Sequence, residues 1–151
     1  MKKILKKVSI IVAIMLSIST FTMSVSAAST MSSLSVINAI YYNGTNIAES
    51  TPDPINKTSS ANSSYIVNKL QITGTITTSQ TGATNYLHVY TASGSVNELI
   101  AIPTSGTFTS TVNIANKSMR DTWYFQLVSV RNTTSGIAAA TIKNGHVTFY
   151  Y

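Results

Sequence analysis

Cysteine is absent from the 151-residue sequence, and its absence excludes two classes of protein. Small secreted toxins and inhibitors that are held together by disulfide bonds need paired cysteines. A lipoprotein needs a cysteine after its signal sequence to carry the lipid. A chain without such crosslinks must be stabilised by an apolar core. About 120 residues suffice for this, because domains near that size bury roughly two-thirds of the surface that the unfolded chain exposes.

Charge is also scarce, since charged residues make up 9% of the chain. The formal net charge of +6 overstates how basic most of the protein is, because Lys2, Lys3, Lys6 and Lys7 supply four of the ten cations. From Ala28 onward, six scattered cations face four carboxylates, which leaves a net charge of +2. No basic run is interleaved with aromatic residues there, so nucleic acid is not an expected partner.

Residue types that perform catalysis or bind metals are few. Positions 28–151 hold two histidines and four carboxylates, with no Gly-x-Ser-x-Gly elbow, His-x-His pair, acidic cluster or Gly-rich phosphate loop. A hydrolytic triad, a glycosidase carboxylate pair and a calcium cage each need more such groups in one place. We therefore expect no enzyme activity, no metal and no cofactor. A calcium ion held mainly by backbone carbonyls would leave no signal in the sequence.

The N-terminal stretch has the parts of a secretory signal peptide. Four lysines within residues 2–7 precede an apolar region at residues 8–18 and a site of small residues. The pattern predicts that residues 1–27 are a signal peptide, cleaved near Ala27 or Ala28. An uncleaved membrane anchor is the alternative, although the apolar region is short for a span. We expect a secreted protein, from a bacterium.

Short strands separated by turn residues are predicted over positions 28–151. Six of the seven glycines lie in turn contexts after Asn, Ser or Thr, and apolar and polar residues alternate with period two between them. The pattern predicts an all-β domain of about eight short antiparallel strands. A jelly-roll-like β-sandwich is the first choice and a small closed β-barrel the alternative. Pro52 and Pro54 indicate a long polar loop over about residues 50–64.

The strand predicted at residues 122–132 contains the only Trp and is apolar on both faces. Alternation puts Trp123, Phe125 and Leu127 on one face and places Tyr124 on the other. This pattern predicts either a central strand covered on both sides or a bulge near Leu127.

Two further segments carry specific expectations. Residues 65–78 form the clearest strand, with Ile66 on its apolar face and Gly74 as a close-packing point or a bend. The dipeptide Asn144-Gly145 predicts a two-residue hairpin that joins two short strands near the end of the sequence.

Candidate binding residues lie in the segment Tyr86-Leu-His-Val-Tyr90. If Leu87 and Val89 point into the core, Tyr86, His88 and Tyr90 form an outward stripe along one strand. Such a stripe is a plausible stacking platform for sugar rings, with the imidazole supplying a hydrogen bond. The alternative is that tyrosine favours strands and pairs with cross-strand neighbours.

Three functions compete. The first is a secreted, non-catalytic module with a binding or structural role at the cell surface or in the extracellular matrix, whose partner is glycan, cell wall or another surface protein. The second is a membrane-active protein, bacteriocin-like or β-pore-forming, because alternating segments such as residues 72–78 could line a pore. The third is a self-assembling surface fibre subunit, favoured by low charge and strong strand propensity.

Overall fold

The computed structural model describes residues 28–58 and 64–151, which form two antiparallel β-sheets packed face to face. The predicted signal peptide at residues 1–27 lies outside the described residues. Among the described residues, no helix has the length and apolar character needed to cross a membrane. The strands are β1 (Ser29–Ser33), β2 (Ile37–Tyr41), β3 (Ile47–Glu49), β4 (Asp53–Asn56), β5 (Ile66–Thr78), β6 (Thr84–Thr91), β7 (Asn97–Ile102), β8 (Gly106–Ser118), β9 (Thr122–Val130) and β10 (Ala138–Tyr150).

The ten strands occupy eight positions. In the first sheet, β1 and β2 pair with successive halves of β10, followed by β5 and β8. In the second, β3 and β4 pair with successive parts of β9, followed by β6 and β7. The chain changes sheet at most connections, which is the winding of a jelly roll. The predicted β-sandwich is therefore confirmed, and the closed-barrel alternative is wrong because the two sheets stay separate.

The core lies between the inner faces of the two sheets. Trp123, Phe125 and Leu127 of β9 are fully buried and oppose side chains of the first sheet. Trp123 meets Phe149 of β10 edge-on, with ring centroids 5.3 Å apart. Full burial of each such side chain contributes roughly 1.5–3 kcal/mol, which lets a chain without crosslinks hold the two sheets together.

Strand β9 differs from its prediction on the outer side. It is central in its sheet, as expected, but its register with β6 is unbroken over Thr84–Thr91, so no bulge lies near Leu127. No second layer formed by the described residues covers it either. Its outer side chains, Tyr124 among them, are half-buried by their cross-strand neighbours within the sheet, which explains an apolar character on both faces.

Gly74 is a close-packing point and not a bend. A Cβ atom at this position would lie 3.1 Å from Ile142 Cγ2 and 3.2 Å from the Phe108 ring, so only glycine fits without a shift. The irregularity of β5 lies instead between Val67 and Lys69. For this reason Val67 is buried and Ile66 is 46% exposed, so the predicted inner position of Ile66 is wrong.

The predicted hairpin at Asn144-Gly145 is also wrong, because β10 continues through it as one strand. The register with β5 shifts by one residue between Lys143 and His146, which is a β-bulge. Asn144 has φ = 52°, and a Cβ on Gly145 would lie 3.0 Å from Leu34 Cβ. The type I′ turn would need a positive φ at both residues, and here only Asn144 has one.

The predicted loop at residues 50–64 contains a strand. Residues Asp53–Asn56 form β4, in which Pro54 pairs with Tyr124 of β9. Proline is accommodated because β4 is an edge strand, where a missing backbone N–H leaves no ladder bond unmade. Residues 59–63 of this segment lie outside the described residues.

Candidate functional site

The outer face of the second sheet carries the predicted binding residues. In β6, Leu87 and Val89 are fully buried, whereas Tyr86, His88 and Tyr90 point outward and are half-buried. The predicted outward position of these three side chains is therefore confirmed. We call this surface the tyrosine face and define it by six outward side chains: Tyr86, His88, Tyr90, Asn97, Tyr124 and Gln126.

Three rings on this face contact one another. Tyr90 and Tyr124 are directly opposite on β6 and β9, with ring centroids 5.0 Å apart and planes inclined by 19°. His88 and Tyr90 have centroids 4.7 Å apart. Tyr124 was missed as a site residue because alternation places it on the outer face of β9 but gives no register against β6. Tyr90 therefore has neighbouring rings on two sides.

His88 is held by amides on both sides. Its Nε2 lies 2.7 Å from Asn97 Oδ1 and its Nδ1 lies 3.4 Å from Gln126 Oε1. Gln126 Nε2 donates to the Ser50 carbonyl at 3.0 Å and to Glu49 Oε2 at 3.4 Å, and these contacts fix the orientation of the amide. Both ring nitrogens face amide oxygens, and a neutral imidazole donates from one nitrogen only, so one of the two contacts is a hydrogen bond in that form. The imidazole is thus oriented by a chain of polar contacts that crosses the sheet.

Tyr86 is the ring with the most freedom. In the described part of the chain, its side chain has no hydrogen bond and no ring contact, unlike His88 and Tyr90. Its cross-strand neighbours are Ala101 on β7 and Val128 on β9, and the ring is half-buried. The exposed part of the Tyr86 ring is therefore open to a ligand.

A second polar group, which the sequence did not single out, lies at one end of the sandwich. Arg131 follows β9 and is 1% exposed. All five of its N–H groups are directed at acceptors: the carbonyls of Tyr42, Thr45, Ser135 and Gly136, and Gln80 Oε1, at 3.0–3.5 Å. We call this group of contacts the Arg131 corner. It joins three connections between strands, whereas the sequence predicts Arg131 only as a residue of the strand over 122–132.

The Arg131 corner continues into a buried polar chain. The guanidinium lies 4.6 Å from the centroid of the Tyr41 ring. The Tyr41 hydroxyl donates to Ser129 Oγ at 2.5 Å, and Ser129 in turn donates to Asn85 Oδ1. Burial raises the pKa of Tyr41, and the Ser129 hydrogen bond and the charge of Arg131 offset part of that rise. Within the described residues, every buried side-chain N and O atom has a hydrogen-bond partner.

The carboxylates are spread over the molecule. Asp53 Oδ2 accepts a hydrogen bond from the backbone of Ser35 at 2.7 Å. Asp121 accepts from the backbone of Thr122 at 2.7 Å and from Ser93 Oγ at 2.5 Å, which is a turn-capping role. Over residues 28–58 and 64–151, no three His, Asp or Glu side chains lie close enough together to hold a metal ion.

Comparison with known proteins identifies no family. No family model and no curated protein matches this sequence. Among solved structures, a chain of infectious bursal disease virus, Gx strain, is similar at a TM-score of 0.46 and 11% identity, over 85% of this chain and 32% of that one. TmCBM61 in complex with β-1,4-galactotriose is similar at 0.41 and 10%, over 79% and 86%.

A third structure, a family two carbohydrate esterase from Cellvibrio japonicus, is similar at 0.28 and 10%, over 82% and 34%. The chain thus spans about a third of the length of the viral chain and of the esterase. The β-sandwich assignment comes from the sheet order and register described above.

Proposed function

We propose that the protein is a non-catalytic binding module that holds a neutral glycan on the tyrosine face. The observation that carries this proposal is the free Tyr86 ring, which lies beside a histidine fixed by two amides. The ring has no hydrogen-bonded or aromatic partner within the described residues, so no such contact holds its exposed part. It can instead receive the apolar face of a sugar ring.

The polar groups around the ring match the hydroxyl groups of a sugar. Asn97 is exposed, and its Nδ2 makes no hydrogen bond in the described part of the chain, so it can donate to a ligand oxygen. Gln126 is oriented by its donation to the Ser50 carbonyl, and His88 lies between Gln126 and Asn97. Amides and imidazole that do not need to reorganise favour binding, because less side-chain freedom is lost when the ligand arrives.

Charge on the tyrosine face favours a neutral ligand. None of the six defining residues is a lysine or arginine, and Glu49 lies beside Gln126 at the margin. Cations are placed elsewhere: Lys69 lies over Tyr150 on the outer face of the other sheet. An acidic polysaccharide would meet a carboxylate here with no compensating cation. The face is also an open sheet surface, so an extended chain can lie across several strands.

Binding of the purified protein to neutral polysaccharides and cell-wall preparations tests the proposal directly. Tyr86→Ala is expected to weaken binding by about tenfold or more, as the loss of a central aromatic contact does. Tyr42→Ala is the matched control, because Tyr42 is 64% exposed and lies in a loop at the Arg131 corner. If no glycan binds, or if Tyr42→Ala weakens binding as much as Tyr86→Ala, the proposal is wrong.

A further inference from the structure

We propose that the free edge of β8 pairs with β8 of a second copy of this chain and forms a closed, two-fold symmetric dimer. Strand β8 has 13 residues and is the last strand of its sheet, where it pairs with β5 alone. Within the described residues, one side of its backbone therefore has N–H and C=O groups that no other strand pairs. The inference is independent of the glycan proposal, since β8 contributes no residue to the tyrosine face.

The other edges of the sandwich are protected and β8 is not. On the opposite side, β1 to β4 are short, between three and five residues, and the two prolines Pro52 and Pro54 interrupt the β3–β4 edge. Strand β7 carries Glu98 and is followed by Pro103. Residues 106–113 of β8, in contrast, contain no proline and no charged residue. Short strands, prolines and charges are the devices that prevent edge pairing, and this segment has none of them.

The sequence of β8 is suited to pair with itself. Directly opposite residues in an antiparallel pair point to the same face of the sheet. A two-fold axis perpendicular to the sheet must therefore lie midway between two copies of the same residue. With the axis at Ser110, Thr109 lies opposite Thr111 and Phe108 lies opposite Val112. Inner-face residues then meet inner-face residues, and no like charges are brought together.

Incomplete coverage of Val112 supports the same pairing. Val112 packs against the core from the inner side of β8 yet is only half-buried, because no strand lies beyond it. In the register centred on Ser110, Phe108 of the second copy covers it. The pairing ends at the irregularity after Asn113, where Asn116 has φ = 49°. The complementary stretch is thus the seven residues 107–113.

The dimer is closed, and this distinguishes it from the fibre subunit that the composition favours. A two-fold contact uses the same edge in both copies and leaves no second copy of that edge for growth. The remaining edge of the same sheet is formed by β1 and β2, each of five residues. Association therefore stops at two chains.

Single-cysteine variants test this pairing, because a chain without native cysteine can form only intermolecular disulfides. A disulfide requires Cα atoms about 4.4–6.8 Å apart, which only the residue on the two-fold axis satisfies. Oxidation of Thr109→Cys, Ser110→Cys and Thr111→Cys is expected to give one strong maximum of crosslinked dimer, at Ser110→Cys in the register above. Thr73→Cys is the control, since Thr73 is directly opposite Thr109 but one strand in from the edge. Equal crosslinking at all four positions, or none at any, would overturn the proposal.

Sedimentation equilibrium of two lysine variants provides a measurement that does not depend on disulfide chemistry. The native protein is expected to show a concentration-dependent dimer. Val112→Lys places an inward charge at the β8 edge and is expected to give monomer. Met31→Lys adds the same charge to β1 at the opposite edge, where Met31 is 65% exposed, and is expected to dimerise like the native protein. A native protein that is monomeric at every concentration, or a Met31→Lys variant that alone loses the dimer, contradicts the inference.

Discussion

The Arg131 corner and the tyrosine face are two groups of polar and aromatic side chains that use their bonding capacity in opposite ways. In the corner, all five N–H groups of one buried guanidinium are paired with acceptors of the same chain. On the face, Tyr86 has no partner within the described residues, and His88 is held only by side chains.

This difference separates structural from binding roles. A buried polar group that is fully paired stabilises the fold, and its removal leaves its partners without hydrogen bonds. A half-exposed group with unused capacity contributes little to the fold and remains available to a ligand. The following substitutions test the distinction, beginning with the largest expected loss of stability.

Arg131→Met is expected to be the most damaging, lowering the free energy of unfolding by about 2–4 kcal/mol. Four carbonyls of the neighbouring connections lose their shared donor, and only those that reach solvent can recover a hydrogen bond to water. Urea denaturation measures the loss. Lys143→Met, which removes an exposed cation from β10, should change stability by less than about 0.5 kcal/mol. Equal effects of the two substitutions would show that charge, and not saturation of hydrogen bonds, accounts for the loss.

Ser129→Ala should lower the free energy of unfolding by about 1–3 kcal/mol, because it leaves the Tyr41 hydroxyl and Asn85 Oδ1 unpaired in the core. Adding Tyr41→Phe to Ser129→Ala removes one of the orphaned groups. The double variant should therefore be less destabilised than the sum of the single variants, and a double-mutant cycle measures this coupling. Strict additivity would contradict the proposed chain of hydrogen bonds.

Alkaline pH should lower the free energy of unfolding by a smaller amount, through the Tyr41 hydroxyl beside the Arg131 corner. Because burial raises the pKa of Tyr41, the unfolded chain releases this proton before the folded protein does. Above about pH 10 the unfolded state binds fewer protons, so the free energy of unfolding falls as pH rises through the folded pKa. Urea denaturation between about pH 9 and pH 11 should show a steeper fall for the native protein than for Tyr41→Phe. Identical slopes would contradict the effect of burial on this hydroxyl.

Tyr86→Ala should have the smallest effect on stability, within about 0.5 kcal/mol, even though it is expected to remove most of the glycan affinity. The ring has no partner in the described part of the chain whose loss would destabilise the fold. Urea denaturation of the same preparation used for binding measures both properties. If Tyr86→Ala lowers the free energy of unfolding by more than about 1 kcal/mol, Tyr86 stabilises the fold by packing.

Alternation and turn residues predicted most of the fold. The stripe of Tyr86, His88 and Tyr90 and the inner face of β9 were confirmed because period-two alternation reports directly which side chains share a face. Cross-strand register was not predictable, because it depends on which strands become neighbours. For this reason Tyr124 and the contacts of His88 with Asn97 and Gln126 were missed.

The wrong predictions have a common origin, because each rests on a short sequence pattern that fits two different structures. Asn144 adopts left-handed geometry, but Gly145 does not, and β5 continues beside the pair on the sheet and makes it a bulge. Pro54 was assigned to a loop, although an edge strand tolerates it. Secretion of the protein and the membrane-active alternative stay predictions, and release of dye from liposomes tests the latter.

The position of β10 determines when the sandwich can assemble during synthesis. Strands β1 and β2 pair within their sheet with β10 alone, and β5 has β10 on one of its two sides. The ribosome must therefore complete the chain through Tyr150 before the first sheet has its central strand. Until then, β1 and β2 have no strand to pair with in their sheet, and one side of β5 stays open.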